Sequence, residues 1–398
     1  MDHPLESYTI NVPEGALDDL RDRLARTRWP DEEPGIGWGQ GTDLAYLREL
    51  VEYWRTRFDW RAREAALNQF SNFRATIDGI GIHFIHQPGR GPDPLPLILT
   101  HGWPGSFADF TKLIPLLTDP QAHGGDAADA FDVVVPSLPG YGFSDRPPRL
   151  SPPFLHDLWA SLMTDVLGYE RFGAQGGDIG SGPTTKLARF YPERMVGIHI
   201  NSDAEWPDPE PTSDELSDRE RAFLARSQEW DREDGAYAHI QGTRPQTLAY
   251  GLSDSPAGLA AWIVEKFRAW GDTHGDLERS FSRDELLENI TIYWVTATIN
   301  SANRYYWRSR HPQREAILPG TPITVPAGFS QFFAEGLNEP REWIERVYTN
   351  VTRWTDMPRG GHFAAREEPE LLAHELREFF RPLRSSARAQ RATLAVPG

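Results

Sequence analysis

An α/β fold with a mainly parallel central sheet is what this 398-residue sequence predicts. Three observations carry that expectation. Short apolar runs alternate with helical patterns along the middle of the chain, a period-2 hairpin precedes them, and a long helical stretch rich in Trp and Tyr interrupts the strand series before it resumes. In order, residues 1–72 read as a helical or meandering N-terminal arm. There Leu17, Leu20 and Leu24 share one face of a helix over Ala16 to Ala25, and Leu47, Leu50, Tyr53 and Trp54 share one over Leu44 to Phe58. The intervening Gly35-Ile36-Gly37-Trp38-Gly39-Gln40-Gly41 has the glycine density of a phosphate loop, but no apolar strand leads into it, so it is read as a plain loop.

From Arg74 the pattern has period 2, with Asp78-Gly79 as the turn between Ala75-Thr76-Ile77 and Ile82 to His86. Strands are expected over Leu95 to Thr100, Phe131 to Pro136, Arg171 to Gln175 and Val196 to Asn201, which fill the first part of the core, 73–202. Residues 203–315 read as an inserted helical cap. Strands over Pro322 to Pro326 and Val351 to Met357, with a helix over Pro369 to Phe380, give the second part of the core, 316–382. The Arg-rich residues 383–398 are expected to be a frayed tail.

Composition removes several function classes. There are 58 acidic against 41 basic side chains, a net charge of −17, and such a field repels phosphate backbones and anionic lipid. Neither nucleic acid nor membrane is an expected partner. With no cysteine, disulfides, thiolate catalysis, iron–sulfur clusters and cysteine zinc sites fall away. Met1 to Pro13 lacks the basic start and apolar run of a secretion signal, and the apolar runs are far shorter than the roughly 20 residues of a membrane span. A cytoplasmic chain is expected, with homo-oligomerisation left open. No metal cluster and no cofactor motif stands out.

The chemistry begins where the strand Arg171 to Gln175 runs into Gly176-Gly177-Asp178-Ile179-Gly180-Ser181 and a helical pattern over Thr185 to Phe190. This is a nucleophile elbow: small neighbours permit a sharp, strained turn that lifts the central side chain above a helix N-terminus. The central residue is Asp178, and a carboxylate displaces at sp³ carbon to form an alkyl ester. The strand Leu95 to Thr100 ends in His101-Gly102-Trp103-Pro104-Gly105-Ser106. The N–H groups of Trp103 and Ile179 are the expected oxyanion donors, with His101 a structural loop residue. Triads built on such an elbow follow the chain order nucleophile, acid, histidine. His362 in Arg359-Gly360-Gly361-His362-Phe363 is therefore the expected base, whereas His374 sits inside a helix. Glu335 is the first acid after the strand ending near Phe329, with Glu339 and Asp356 as competitors.

These segments carry a resemblance. Together with Ile82-His83-Phe84-Ile85-His86, the run Asp254 to Phe267, and Gly361-His362-Phe363-Ala364-Ala365, they make the sequence similar over almost its whole length to the microsomal-type epoxide hydrolases of the α/β-hydrolase superfamily. The resemblance implies an α/β-hydrolase fold with a mainly parallel central sheet, an inserted helical cap and an N-terminal wrapping segment that clasps the cap. It implies Asp178 as nucleophile, Glu335 as acid and His362 as base. It further implies two cap tyrosines, Tyr237 and Tyr306, as donors to the epoxide oxygen, with Tyr305 an alternative to Tyr306. A neutral phenol suits that task because it donates at pH 7 and yields its proton to an alkoxide. Many relatives have Trp after the nucleophile where this chain has Ile179. The expected partners are a small-molecule epoxide and water. Two competing readings are an Asp-nucleophile dehalogenase, for which Ile179 supplies no halide donor, and a catalytically inert ligand-binding protein of the same fold.

Overall fold

The computed structural model describes residues 5–147, 154–208, 210–311, 321–333 and 336–394. Among them nine strands form one sheet: β1 Leu5–Ser7, β2 Asn72–Ile77, β3 Ile80–Gln87, β4 Leu95–Thr100, β5 Phe131–Pro136, β6 Phe172–Gly176, β7 Met195–Ile200, β8 Ala327–Gln331 and β9 Val351–Asp356. The order is β1-β2-β3-β5-β4-β6-β7-β8-β9. The first three strands and the β3–β5 pair are antiparallel, and all pairs from β5 to β9 are parallel. Asp78 and Gly79 turn β2 into β3 with φ of 50° and 78°, the conformation that an Asp-Gly pair tolerates.

The parallel strands are covered on both faces, so they read as apolar runs rather than alternating ones. Leu97 and Leu99 enter one buried layer while Ile98 enters the other. Two expectations are corrected. The strand foreseen over Pro322 to Pro326 begins at Ala327. Pro322 and Pro326 have no N–H to give to a ladder, and Ile323 makes only an isolated bridge with Tyr348. Gly328, where an added Cβ would meet the Phe379 ring at 2.8 Å, keeps β8 open to the last helix and makes it look unlike a strand. That helix runs Pro369–Leu394, through much of the stretch expected as a tail. Leu383 packs on the core, and Arg384 donates to Asp129 O at 2.8 Å and Ala130 O at 3.0 Å, which extends the helix beyond Phe380.

Between β7 and β8 the chain is helical: Asp218–Glu233, Ala236–Thr243, Pro245–Asp254, Pro256–Trp270, Arg283–Thr296 and Ile299–Arg310. Ser217 with Glu220 and Ser282 with Glu285 form capping boxes that start two of these helices. The arm contributes β1 at the sheet edge and the helices Glu14–Ala25, Leu44–Thr56 and Trp60–Leu67, which hold the cap. Thr42 Oγ1 donates to Ala261 O at 2.7 Å, Trp54 Nε1 donates to Thr291 Oγ1 at 3.1 Å, and Arg63 pairs with buried Glu288 at 2.7 Å. Among the described residues no helix is long and apolar enough to cross a membrane.

Candidate active site

Strand β6 ends under Gly177, and Asp178 takes φ 52°, a left-handed value that costs a non-glycine residue about 1–3 kcal/mol and persists only where its surroundings impose it. They do. Asp178 N–H donates to Ser202 Oγ at 2.9 Å, and Ser181 Oγ donates to Asp178 O at 2.7 Å. The helix Ser181–Phe190 starts close under the turn because Gly180 brings it against β4; a Cβ there would stand 2.1 Å from Thr100 O. Gly180→Ala must therefore displace backbone. The expected result is a loss of about 1–3 kcal/mol in chemical denaturation, the range of overpacked sites.

The loop after β4 brings its backbone against the Asp178 carboxylate. Asp178 Oδ1 accepts from Trp103 N–H at 2.9 Å and from Ile179 N–H at 2.5 Å, the two groups expected from the sequence. Gly102 permits this approach, since a Cβ there would lie 2.3 Å from the same oxygen. The Trp103–Pro104 peptide is cis. Helix Arg283–Thr296 holds the loop from the cap side: Asn289 Nδ2 donates to Pro104 O at 2.7 Å and Tyr293 OH to Gly105 O at 2.8 Å. Sequence reasoning missed both. Their signal was two polar side chains at i,i+4 on a helix face otherwise lined by Leu286 and Ile290. His101 is buried, accepts from Leu138 N–H at Nε2 (3.2 Å) and lies 3.0 Å from Gly102 O through Nδ1. Burial lowers its pKa, and its role is to shape the loop.

His362 follows β9 and presents Nε2 at 3.3 Å from Asp178 Oδ2. Its own N–H donates to Trp270 O at 3.0 Å, and the Trp270 ring stands 5.0 Å from the imidazole. Glu335, the expected orienting acid, lies outside the described residues. Of its competitors, Glu339 is buried and accepts from Ala204 N–H at 3.1 Å, while exposed Asp356 accepts from Trp354 Nε1 at 3.1 Å. His374 is exposed on the last helix.

The cap brings the two tyrosines together over the loop. Tyr237, on helix Ala236–Thr243, stacks on Trp103 at 4.9 Å with an interplanar angle of 9°. Tyr306, on helix Ile299–Arg310, meets Trp103 edge-on at 5.9 Å and Tyr237 at 5.8 Å. Tyr306 thus joins Trp103 and Tyr237 in one ring cluster. Burial first, then the charge of neighbouring groups including Asp178, raises the Tyr306 pKa well above 10, so its phenol keeps its proton through the alkaline range. Asp178, His362, Tyr237, Trp230, Trp270 and Leu337 line a cavity of about 400 Å³. Among the described residues, Asp178, Asp203 and His362 place ligand atoms within 4.8 Å of one another. Two N–H groups and His362 already engage both oxygens of Asp178, an arrangement suited to a free carboxylate rather than to a cation.

The family described as "Epoxide hydrolase N terminus" matches residues 5–110, and the one described as "alpha/beta hydrolase fold" matches residues 96–369. The chain is 49% identical over 380 residues to the "Putative epoxide hydrolase" of Stigmatella aurantiaca, covering 95% of this chain and 85% of that relative. It is 36% identical over 409 residues to "Epoxide hydrolase 1" of Sus scrofa, covering 95% and 89%. Among solved structures, the epoxide hydrolase of Aspergillus niger superposes with a TM-score of 0.82 at 32% identity, covering 96% of this chain and 97% of that one. The similarity runs over nearly the full length, and the chain belongs to the epoxide hydrolase family of the α/β-hydrolase fold.

Proposed function

We propose that this chain converts epoxides to vicinal diols through a hydroxyalkyl ester on Asp178. One observation carries the reading: Asp178 Oδ1 is fixed by two backbone N–H groups while Oδ2 faces His362, beneath a pair of cap tyrosines. Oδ2 attacks an oxirane carbon, the C–O bond breaks, and the electron pair goes to the epoxide oxygen, which takes a proton from Tyr237 or Tyr306. Oδ1 then becomes the ester carbonyl oxygen, already seated in its donors. His362 removes a proton from water, hydroxide adds to Cγ, and the oxyanion forms on Oδ1. Collapse breaks the Cγ–Oδ2 bond; the diol leaves with Oδ2 and a proton from His362, Asp178 keeps the water oxygen, and the second water proton passes from its carboxyl to the phenolate, restoring both groups. Glu335 is assigned the role of orienting His362.

Single turnover in heavy-oxygen water tests this order of bonds. The Asp178 peptide gains one heavy oxygen and the first diol gains none; label confined to the diol would refute the ester. Because every transferred atom comes from substrate, water or these side chains, dialysis against a chelator leaves kcat and KM unchanged. A loss restored by added divalent cation would instead assign Asp178, Asp203 and His362 to a metal.

A further inference from the structure

Glu367 takes no part in the steps above, yet it is built into the base loop. Its Oε2 accepts from Gly361 N–H at 3.2 Å and its Oε1 from Phe363 N–H at 2.9 Å, so one carboxylate bridges the residues on either side of His362. Oε2 also accepts from Asp272 N–H at 2.6 Å, just past the cap helix Pro256–Trp270. The contact is reciprocated: Gly360 N–H donates to Asp272 Oδ2 at 2.9 Å, and His362 N–H to Trp270 O at 3.0 Å. The two segments touch closely enough that a Cβ on Gly361 would lie 2.5 Å from Trp270 O. Phe363 stacks on Phe267 of the same cap helix at 4.0 Å.

Resting on the function proposed above, we propose that Glu367 is a second positioning residue of ester hydrolysis, clamping the His362 backbone between the base loop and the cap in its ionised form. Three N–H groups converge on two oxygens, and a carboxylate accepts all three. A protonated carboxyl turns one oxygen into a donor that opposes Phe363 or Asp272, releasing one side of His362. Desolvation raises the Glu367 pKa to about 7, against the pull of the Asp272 and Phe363 N–H groups and of His362, with the Asp272 charge adding to the rise. The charged groups around it are His362 on its own loop and Asp272 on the cap, itself 2.9 Å from His274; flanking Arg366 and Glu368 pair elsewhere, with Asp109 and Arg359. The sign follows: hydrolysis is fast with Glu367 ionised and falls as pH drops through about 7.

Glu367→Gln fixes the clamp in its half-made state. Formation of the ester, read as adduct mass and as kcat/KM, is expected to stay within about twofold, because Asp178 and the tyrosines are untouched. Hydrolysis of the ester at pH 8 is expected to fall about tenfold, the scale of a modest misplacement of a reacting group. The limb near pH 7 owed to Glu367 disappears from the hydrolysis profile, leaving that of His362. Asp272→Asn keeps its N–H but removes the like charge, so the wild-type limb moves to lower pH; in the Glu367→Gln protein, which has lost that limb, the same change leaves the profile near pH 7 unaltered. Equal losses of ester formation and hydrolysis, or an unchanged profile, would overturn the inference. If Glu367→Gln does not fold, the Asp272→Asn profile decides, and no shift overturns it. Failure to form any adduct in the wild type and in every variant refutes the epoxide-opening reading itself, a result distinct from these.

Discussion

His362→Gln protein incubated with a panel of small and aryl epoxides is expected to gain the mass of one epoxide and to stop there. The geometry separates the two half-reactions. Attack by Asp178 Oδ2 needs an ionised carboxylate and an acid at the epoxide oxygen, and neither is His362. Hydrolysis needs a base at the water that attacks Cγ, and His362 Nε2, 3.3 Å from Oδ2, is the imidazole placed to remove that proton. Glutamine keeps a polar side chain of similar reach without the basic nitrogen. Turnover should fall by about 10²–10⁴-fold, the contribution of a positioned base. Ester formation should persist because Trp103 and Ile179 N–H still hold Oδ1. An adduct that is absent from the His362→Gln/Asp178→Ala double variant identifies the nucleophile and ranks the substrates at once. Folded protein with no adduct from any epoxide would move weight to the dehalogenase or inert-binder readings.

Most of the elbow was legible because its chemistry is local. Gly176, Gly177 and Gly180 around Asp178 announce a turn that only small neighbours permit, and the Cβ clash at Gly180 is the physical content of that pattern. His101 to Ser106 was legible for the same reason, being a loop whose backbone is the working part. Nonlocal roles were not. Ser202 accepts from Asp178 N–H across 24 residues, Tyr293 reaches Gly105 across 188, and Glu367 works through the N–H groups of Gly361, Phe363 and Asp272. None of these has a spacing to read. Strand β8 was misplaced because its Gly and Ser make room for a helix instead of announcing an apolar ladder, and β1 was missed because three residues carry no period. The tyrosine pair came from family resemblance alone; what the structure adds is that Trp103, whose N–H donates to Asp178 Oδ1, also meets both phenol rings with its indole.

That shared indole makes the tyrosines the sharpest test of the first half-reaction. Phenylalanine preserves the ring that packs on Trp103, so Tyr237→Phe and Tyr306→Phe remove a donor while leaving the packing in place. Each single variant should slow ester formation by about 10²-fold, the scale of losing one donor to a developing oxyanion. The double variant should form no adduct within hours, even when His362 is also changed to Gln. This is the opposite of the His362 variant alone, where the ester forms and persists. Because burial holds the Tyr306 phenol well above its ordinary pKa of 10, wild-type ester formation should be flat from about pH 7 to 9, with no loss from phenol ionisation. Rapid-mixing measurement of tryptophan fluorescence suits the purpose, since Trp103 lies against both tyrosines and above Asp178. If the double variant were alkylated at the wild-type rate, the acid would have to come from elsewhere. In that case the cap would serve to enclose the substrate and not to open it.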